Sequence, residues 1–359
     1  GHATATIDFH GPTLTAGIEA QSLRDNRTNR RSINGARTDT LLLDQQERVA
    51  EEAAFATIAW PLTTALTVRG GARRDINRFS VTDHFLADGD ASGSRTMQAT
   101  SGSGGIALRL GDNAVAWSDV ATVFETPTTT ELANRPDGAG GFNPELGPQR
   151  SVTEEVGVRA AAGRLTIDVA GYHTTTHDAI IPYSEVAGRT YYRNAGRTRT
   201  LGAEAGLAWR LAPGLTARGT FTWTDAAFAE YRAVTPASID ILDGNQVAGF
   251  PRTIARLGVA GAIGHGFEID VDQAFSSGMF ADDANTIQVS GWGTGVTGAR
   301  LLWRGHSGIW DVTPFVAVLN LFDRRYVGAV TINGTGGRVL EPAAGRTISA
   351  GISLTAMGR

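Results

Sequence analysis

No cysteine occurs in the 359 residues, which excludes a disulfide framework, a cysteine-ligated metal site and a thiol nucleophile. Lysine is absent too: all 32 basic residues are arginine, and 36 acidic residues leave a formal net charge of −4. That balance offers no basic patch for gripping nucleic acid. No apolar run approaches the ~18 residues of a transmembrane helix, and apolar residues at helical spacing persist nowhere beyond a turn or two. A membrane β-barrel survives both absences, because its strands are only half apolar. The glycine-rich stretches at 101–105 and 291–298 lack the strand-to-helix context of a phosphate-binding loop. Serines form no nucleophile elbow, so no enzyme and no cofactor are expected.

What is present is alternation. In 214–224 one face reads Leu215, Ala217, Gly219, Phe221, Trp223, and the other reads Thr216, Arg218, Thr220, Thr222, Thr224. The same period of two runs through 66–75, 164–171, 267–272 and 347–354, the signature of half-buried antiparallel strands. Forty-five glycines punctuate the chain. Tight turn signals fall at Gly11-Pro12, 61–64, 111–113, Gly163, Pro213-Gly214, 264–266 and 305–308, mostly about 50 residues apart. Longer polar segments lie between them at 84–94, 126–150, 233–247 and 281–288. Short turns at one end and long loops at the other describe a membrane-barrel meander, whereas a soluble sandwich turns every ~8–12 residues. Counting between turns predicts about fifteen strands in one domain, 1–359. Trp60, Trp209, Trp303, Trp310 and Phe267 each sit within about four residues of a tight turn, the headgroup level for interfacial rings. Leu215, Phe221, Ile167, Val169, Ile269 and Ile352 are therefore expected to face outward. Thr220, Arg218, Asp168, Asp270 and Ser353 are expected to face the lumen.

Several motifs repeat a pattern known elsewhere: FETPTTTEL at 124–132 with NPELGPQRSVTEEVGVR at 143–159, YYRNAGRTRTLGAEAGL at 191–207, FPRTIARLGV at 250–259, VLNLFDRRY at 318–326 and PAAGRTISAGI at 342–352. In this order and spacing the chain resembles the C-terminal part of the barrel of TonB-dependent outer-membrane receptors. The resemblance implies a barrel of twenty-two strands, of which about fifteen are here. It also implies a place in the outer membrane of a Gram-negative-type bacterium, surrounded by lipid, and energy-coupled uptake of a small-molecule metal chelate such as a ferric siderophore. The family's plug and TonB-contacting segment have no counterpart in this sequence, and the final residues lack its terminal aromatic. An odd count of strands, the first and last both ending on the short-turn side, together with the missing plug and a first residue that is Gly1 rather than methionine, sets the expectation of an N-terminally truncated barrel that is not competent alone. The missing aromatic bears on the C-terminus. A passive porin-like channel, a surface adhesin, or a soluble β-rich enzyme or carbohydrate-binding protein are the alternatives.

Candidate ligand-facing residues are Arg135, Asp137, Phe142 and Arg150 within 126–150, with 233–247 as a second segment, since arginines there can meet an anionic chelate by charge-assisted hydrogen bonds. No metal site is expected. His173 and His177 share a strand face but stand about 13 Å apart, too far to share one ion. Asp83-His84 and Asp88-Gly89-Asp90 lack the remaining ligands of a calcium loop and read as solvated turns. Asn320 and Asp323 read as turn chemistry, Asn194 and Gly196 as a bulge or left-handed position, and Glu154, Glu155 and Glu204 as partners for arginines such as Arg159 and Arg210.

Overall fold

The computed structural model describes residues 1–135, 141–186, 189–234, 239–290, 293, 295–334 and 339–356. One antiparallel sheet dominates it. Its long strands are β1 (His2–Asp8), β2 (Thr13–Ile33), β3 (Ala36–Pro61), β4 (Leu66–Asp83), β5 (Gly93–Arg109), β6 (Ala114–Glu125), β7 (Gln149–Ala162), β8 (Leu165–His177), β9 (Arg197–Ala212), β10 (Leu215–Glu230), β11 (Thr253–Gly264), β12 (Phe267–Ser276), β13 (Val296–Trp303), β14 (Trp310–Leu319) and β15 (Thr347–Ala356). Each pairs with its neighbours in chain order, so the fifteen-strand meander expected from turn spacing is the observed one. A short strand, Gly305–Ser307, continues β13 beyond Arg304. β1 and β15 are the edges, and no pairing joins them among the described residues.

Left-handed residues make most of the short turns, His10 before β2, Gly111, Gly163, Gly214, the pair His265-Gly266, and Gly308, while in the β3–β4 turn Thr63 Oγ1 accepts from the Ala65 and Leu66 amides. At the other end the connections carry structure of their own. Residues 126–148 hold helix α1 (Thr129–Ala133), closed by a capping box in which Glu131 N–H donates to Thr128 Oγ1 and Thr128 N–H donates to the Glu131 carboxylate. The four later loops each contain a small hairpin, at 180–194, 232–241, 279–289 and 327–342. The exception is the β2–β3 connection, a two-residue Asn34-Gly35 turn with φ of 51° and 79°, the favoured left-handed pair for a hairpin. Strands of 21 and 26 residues flank it, far more than the roughly 10 that cross a bilayer, so this hairpin projects well past the sheet body.

Register fixes two faces. Ile167, Val169, Leu215, Phe221, Ile269 and Ile352 share one face, connected through Leu207, Gly219, Gly261, Leu301 and Val316. Asp168, Arg218, Thr220, Asp270 and Ser353 lie on the other. The first face is apolar and solvent-facing, with Ile18, Ile58, Ile106, Val156, Leu207, Leu257 and Leu301 all exposed, an extent of bare apolar surface that marks an interaction face. The second is polar and internally paired: Arg73 meets Glu19 and Asp75 at 2.7 and 2.8 Å, Arg304 meets Glu268 at 2.6 Å, and Arg159 Nε donates to Asp168 at 2.6 Å. It is the inner face, because Leu132, Phe142 and Leu146 of the β6–β7 connection fold over it. Two glycines there accommodate rings. A Cβ at Gly202 would overlap the Tyr172 ring, and one at Gly157 would overlap the Trp117 indole.

Candidate ligand vestibule at the loop end

Residues 129–135 and 141–146 return across the inner face of β2–β5 instead of standing out into solvent. Leu132, Phe142 and Leu146 pack with Val49, Phe79, Val81 and Met97, inner-face residues of β3, β4 and β5. Phe142 meets Phe79 edge-on, centroids 6.3 Å apart at 88°. Polar hooks fix the same segment. Arg95 Nη1 donates to the carbonyls of Asn143 (2.6 Å) and Leu146 (2.8 Å), Arg27 Nη2 to Thr130 Oγ1 (3.1 Å), and Gly141 N–H to Gln45 Oε1 (3.2 Å). Beneath it Glu47 is fully buried and ion-paired to Arg27 at 2.8 Å, while Gln45 Nε2 donates to the same carboxylate oxygen at 2.8 Å.

The later loops build a second cluster. The Arg193 guanidinium lies between two phenol rings, 4.6 Å from the Tyr183 centroid and 5.2 Å from that of Tyr231, and its Nε donates to the Tyr231 hydroxyl at 2.8 Å. Burial pushes the Tyr231 phenol up to about 12, with the adjacent Arg193 charge acting the other way. Phe228 packs against Tyr231 with centroids 4.7 Å apart. Asp283 is buried close by, and that burial raises its carboxyl above the usual range, opposed by the Asn333 hydrogen bond and the Arg193 charge. Asn333 Nδ2 donates both to Asp283 Oδ2 (3.0 Å) and to the Pro182 carbonyl (2.6 Å), tying three loops together. A delocalised planar cation clamped by aromatic faces, with hydrogen-bond donors left over, suits a bulky anionic ligand.

The candidates named from sequence fall in different places. Phe142 is a buried anchor of the inward segment, and Arg135 follows the Asn134 C-cap of α1, its amide donating to the Ala133 carbonyl at 3.1 Å. Asp137 lies outside the described residues. Arg150 belongs to the outward set at the loop-side end of β7, its guanidinium 5.8 Å from the Phe124 ring centroid, so it is not brought together with Phe142. Among the described residues no group of three or more histidine or carboxylate side chains could hold a metal. Asp83 instead accepts from the Phe85 and Ala91 amides, and Asp90 from that of Ser92. Glu155 accepts from the Trp117 indole rather than from an arginine, and Asn194 bridges Gly147 and Asp178 through its side-chain amide. Asn320 and Asp323 are left-handed turn residues, as their spacing suggests. Arg193, Tyr231, Asp283 and Asn333 were not legible as a group, because contacts spanning as many as 151 residues assemble them.

The family described as TonB dependent receptor-like, beta-barrel, matches residues 2–321. The pesticin receptor of Yersinia enterocolitica is 25% identical over 305 residues, covering 82% of this chain and 42% of that protein. Among solved structures, the ferric yersiniabactin uptake receptor from Yersinia pestis superposes with a TM-score of 0.73 at 20% identity, covering 98% of this chain and 52% of that one. A copper transporter gives 0.75 at 20% identity, with coverage of 98% and 55%. The chain thus spans about half the length of these solved relatives and less than half of the pesticin receptor.

Proposed function

The chain belongs to the TonB-dependent receptor-like β-barrel family, and we propose that it forms the wall and loop end of an outer-membrane receptor for energy-coupled uptake of a ferric siderophore or a similar metal chelate. The observation that carries this reading is the opposition of the two faces: an apolar, exposed outer wall, and a charged inner face roofed at the loop end by residues 129–135 and 141–146. A soluble β protein would bury the apolar set. Residues 1–359 read as one barrel domain whose partners are the surrounding lipid, the chelate and TonB.

Arg193, held between Tyr183 and Tyr231, is the best-built contact for an anionic chelate. Phe142 anchors the roof on the opposite side, and Arg135 and Asp137 are proposed with it as contacts for the chelate. Arg150, on the outer wall, contributes at most to the rim. The similar ferric yersiniabactin receptor supports a ferric cargo, and the copper transporter keeps another metal in view. The test is quenching of intrinsic tryptophan fluorescence by ferric chelates, each against its iron-free form, together with chelate-dependent growth in strains with and without TonB. Saturable quenching that weakens at least tenfold in Arg193→Ala, and growth that requires TonB, are expected. Growth indifferent to TonB, or quenching unchanged in Arg193→Ala, refutes the assignment.

A further inference from the structure

On β2, β3 and β4 the outward set begins at the short turns as an apolar belt: Leu14, Ala16, Ile18 and Ala20; Ile58, Ala56 and Ala54; Leu66, Val68, Gly70 and Ala72. Toward the loop end the same faces turn basic. Arg24, Arg48, Arg74 and Arg78 all point outward and are exposed, with the acidic Glu52 on the belt side of Arg48 and Asp44 beyond it toward the loop end. Arg78 is paired with Glu52 at 2.8 Å, and Arg74 donates only to the neutral oxygens of Thr100 and Gln98, at 3.2 and 2.7 Å. Arg24 and Arg48 stand directly opposite each other on paired strands. Neither has a carboxylate within ion-pair distance among the described residues. Like charges directly opposite in a sheet destabilise it. The contrast with the inner face of the same strands is sharp, since Arg27 meets Glu47 and Arg73 meets Glu19. At a comparable distance from the short turns, β10 and β12 present Trp223 and Phe275 outward, and β7 and β9 carry Arg150 and Arg199 on that face, so the adjoining strands β2–β4 hold their outward arginines as a cluster.

The geometry points to a binding site on this outer wall, formed by Arg24, Arg48, Arg74 and Arg78, for the phosphate groups of lipid headgroups in the leaflet on the loop side. This rests on the membrane reading above. Phosphate oxygens accept paired guanidinium donors, and a phosphate between Arg24 and Arg48 converts their repulsion into two favourable contacts. The position dictates the source: side chains just past an apolar belt on a lipid-facing wall reach the headgroup layer, where each basic residue adds about fivefold to the binding of an anionic lipid.

The test reconstitutes the protein into phosphatidylcholine vesicles doped with a phosphorylated glycolipid or with its dephosphorylated form, then reads lipid retained on the extracted protein by native mass spectrometry. We expect retention of the phosphorylated lipid alone. It should fall about fivefold in Arg48→Gln and about thirtyfold in Arg24→Gln/Arg48→Gln, and stay unchanged in the inner-face variant Arg218→Gln. Heat-modifiable gel migration identifies folded variants, and the single substitution carries the test should the double one not fold. Equal retention of the two lipids, equal retention by wild type and variants, or displacement of the lipid by equimolar inorganic phosphate overturns the proposal. Vesicle flotation separates this from the membrane reading: wild-type protein that fails to float refutes that reading, whereas protein that floats without retaining lipid refutes only the phosphate site.

Discussion

Glu47→Ala gives a sharp test of how the inward segment is held. The Glu47 side chain is fully buried, and its Oε1 takes both the Arg27 Nε contact and the Gln45 amide. Gln45 in turn orients its own oxygen toward the Gly141 amide at 3.2 Å. Truncation leaves the Arg27 side chain, 18% exposed, without its counter-charge. Leaving one partner of a buried pair uncompensated costs about 3–5 kcal/mol. Lifting the segment returns Arg27 to water and relieves that cost, so it falls on the local opening equilibrium more than on the barrel wall. At about 1.4 kcal/mol per decade, opening becomes roughly a hundredfold to a few thousandfold more frequent. Amide hydrogen exchange of peptides covering 129–135 and 141–146 reads this directly, with β8–β10 as the internal reference. Arg27→Met/Glu47→Leu removes both charges and should recover most of the protection, since replacing a whole buried pair by apolar groups is close to neutral. Unchanged exchange in Glu47→Ala, or a double variant as open as the single one, would refute the reasoning.

The Asp283 carboxyl is raised by burial, so its contribution to loop stability is full below the unfolded pKa and is lost as pH rises through the folded one. Protease nicking of the 277–295 loop should therefore increase from acid toward neutral pH, and Asp283→Asn should flatten that dependence while keeping an acceptor for Asn333. On the wall, Val169→Arg should cost about 2–4 kcal/mol in urea unfolding from vesicles, whereas Thr166→Arg on the inner face should cost far less, because only the first places a charge against lipid.

Most of the wall was legible in the sequence because each strand residue has two choices of face and the turns are marked by glycine. The alternation of Leu215 through Thr224 and the signals at Gly163 and Pro213-Gly214 fix register locally, and a one-residue slip would have reversed every face. The Asn34-Gly35 turn carried an equally clear hairpin signal, but strands flanking it of more than twice the bilayer-crossing length have no local signature beyond continued polarity. The loop end was only partly readable. Phe142 and Arg150 lie in one polar segment, yet one side chain goes beneath the roof and the other to the outer wall. That choice is made by apolar partners on β3–β5 that are distant in sequence. Tyr183, Arg193, Tyr231 and Asp283 come from three loops, and no spacing rule relates them.

The hooks that join those loops suggest where structural and ligand duties divide. Asn134 donates to the Thr190 carbonyl, Asn194 to those of Gly147 and Asp178, Asn245 to that of Asp283, Asn285 to that of Gln246, and Asn333 to that of Pro182. Each is an asparagine bonding to a backbone group of a neighbouring segment. A short side chain that both donates and accepts can replace a backbone partner where strands diverge. With the Arg27, Gln45 and Arg95 contacts, these uncharged amide hooks form a rim running from β2 to the loop before β15, beside the aromatic packing of Phe142 and Phe228. Arg193, stacked between phenols with guanidinium nitrogens beyond the Nε bond to Tyr231, is then the cation whose loss should weaken binding of an anionic chelate while the asparagine rim keeps its shape. Loss of Asn333 should do the reverse, loosening three loops before it alters any contact to ligand.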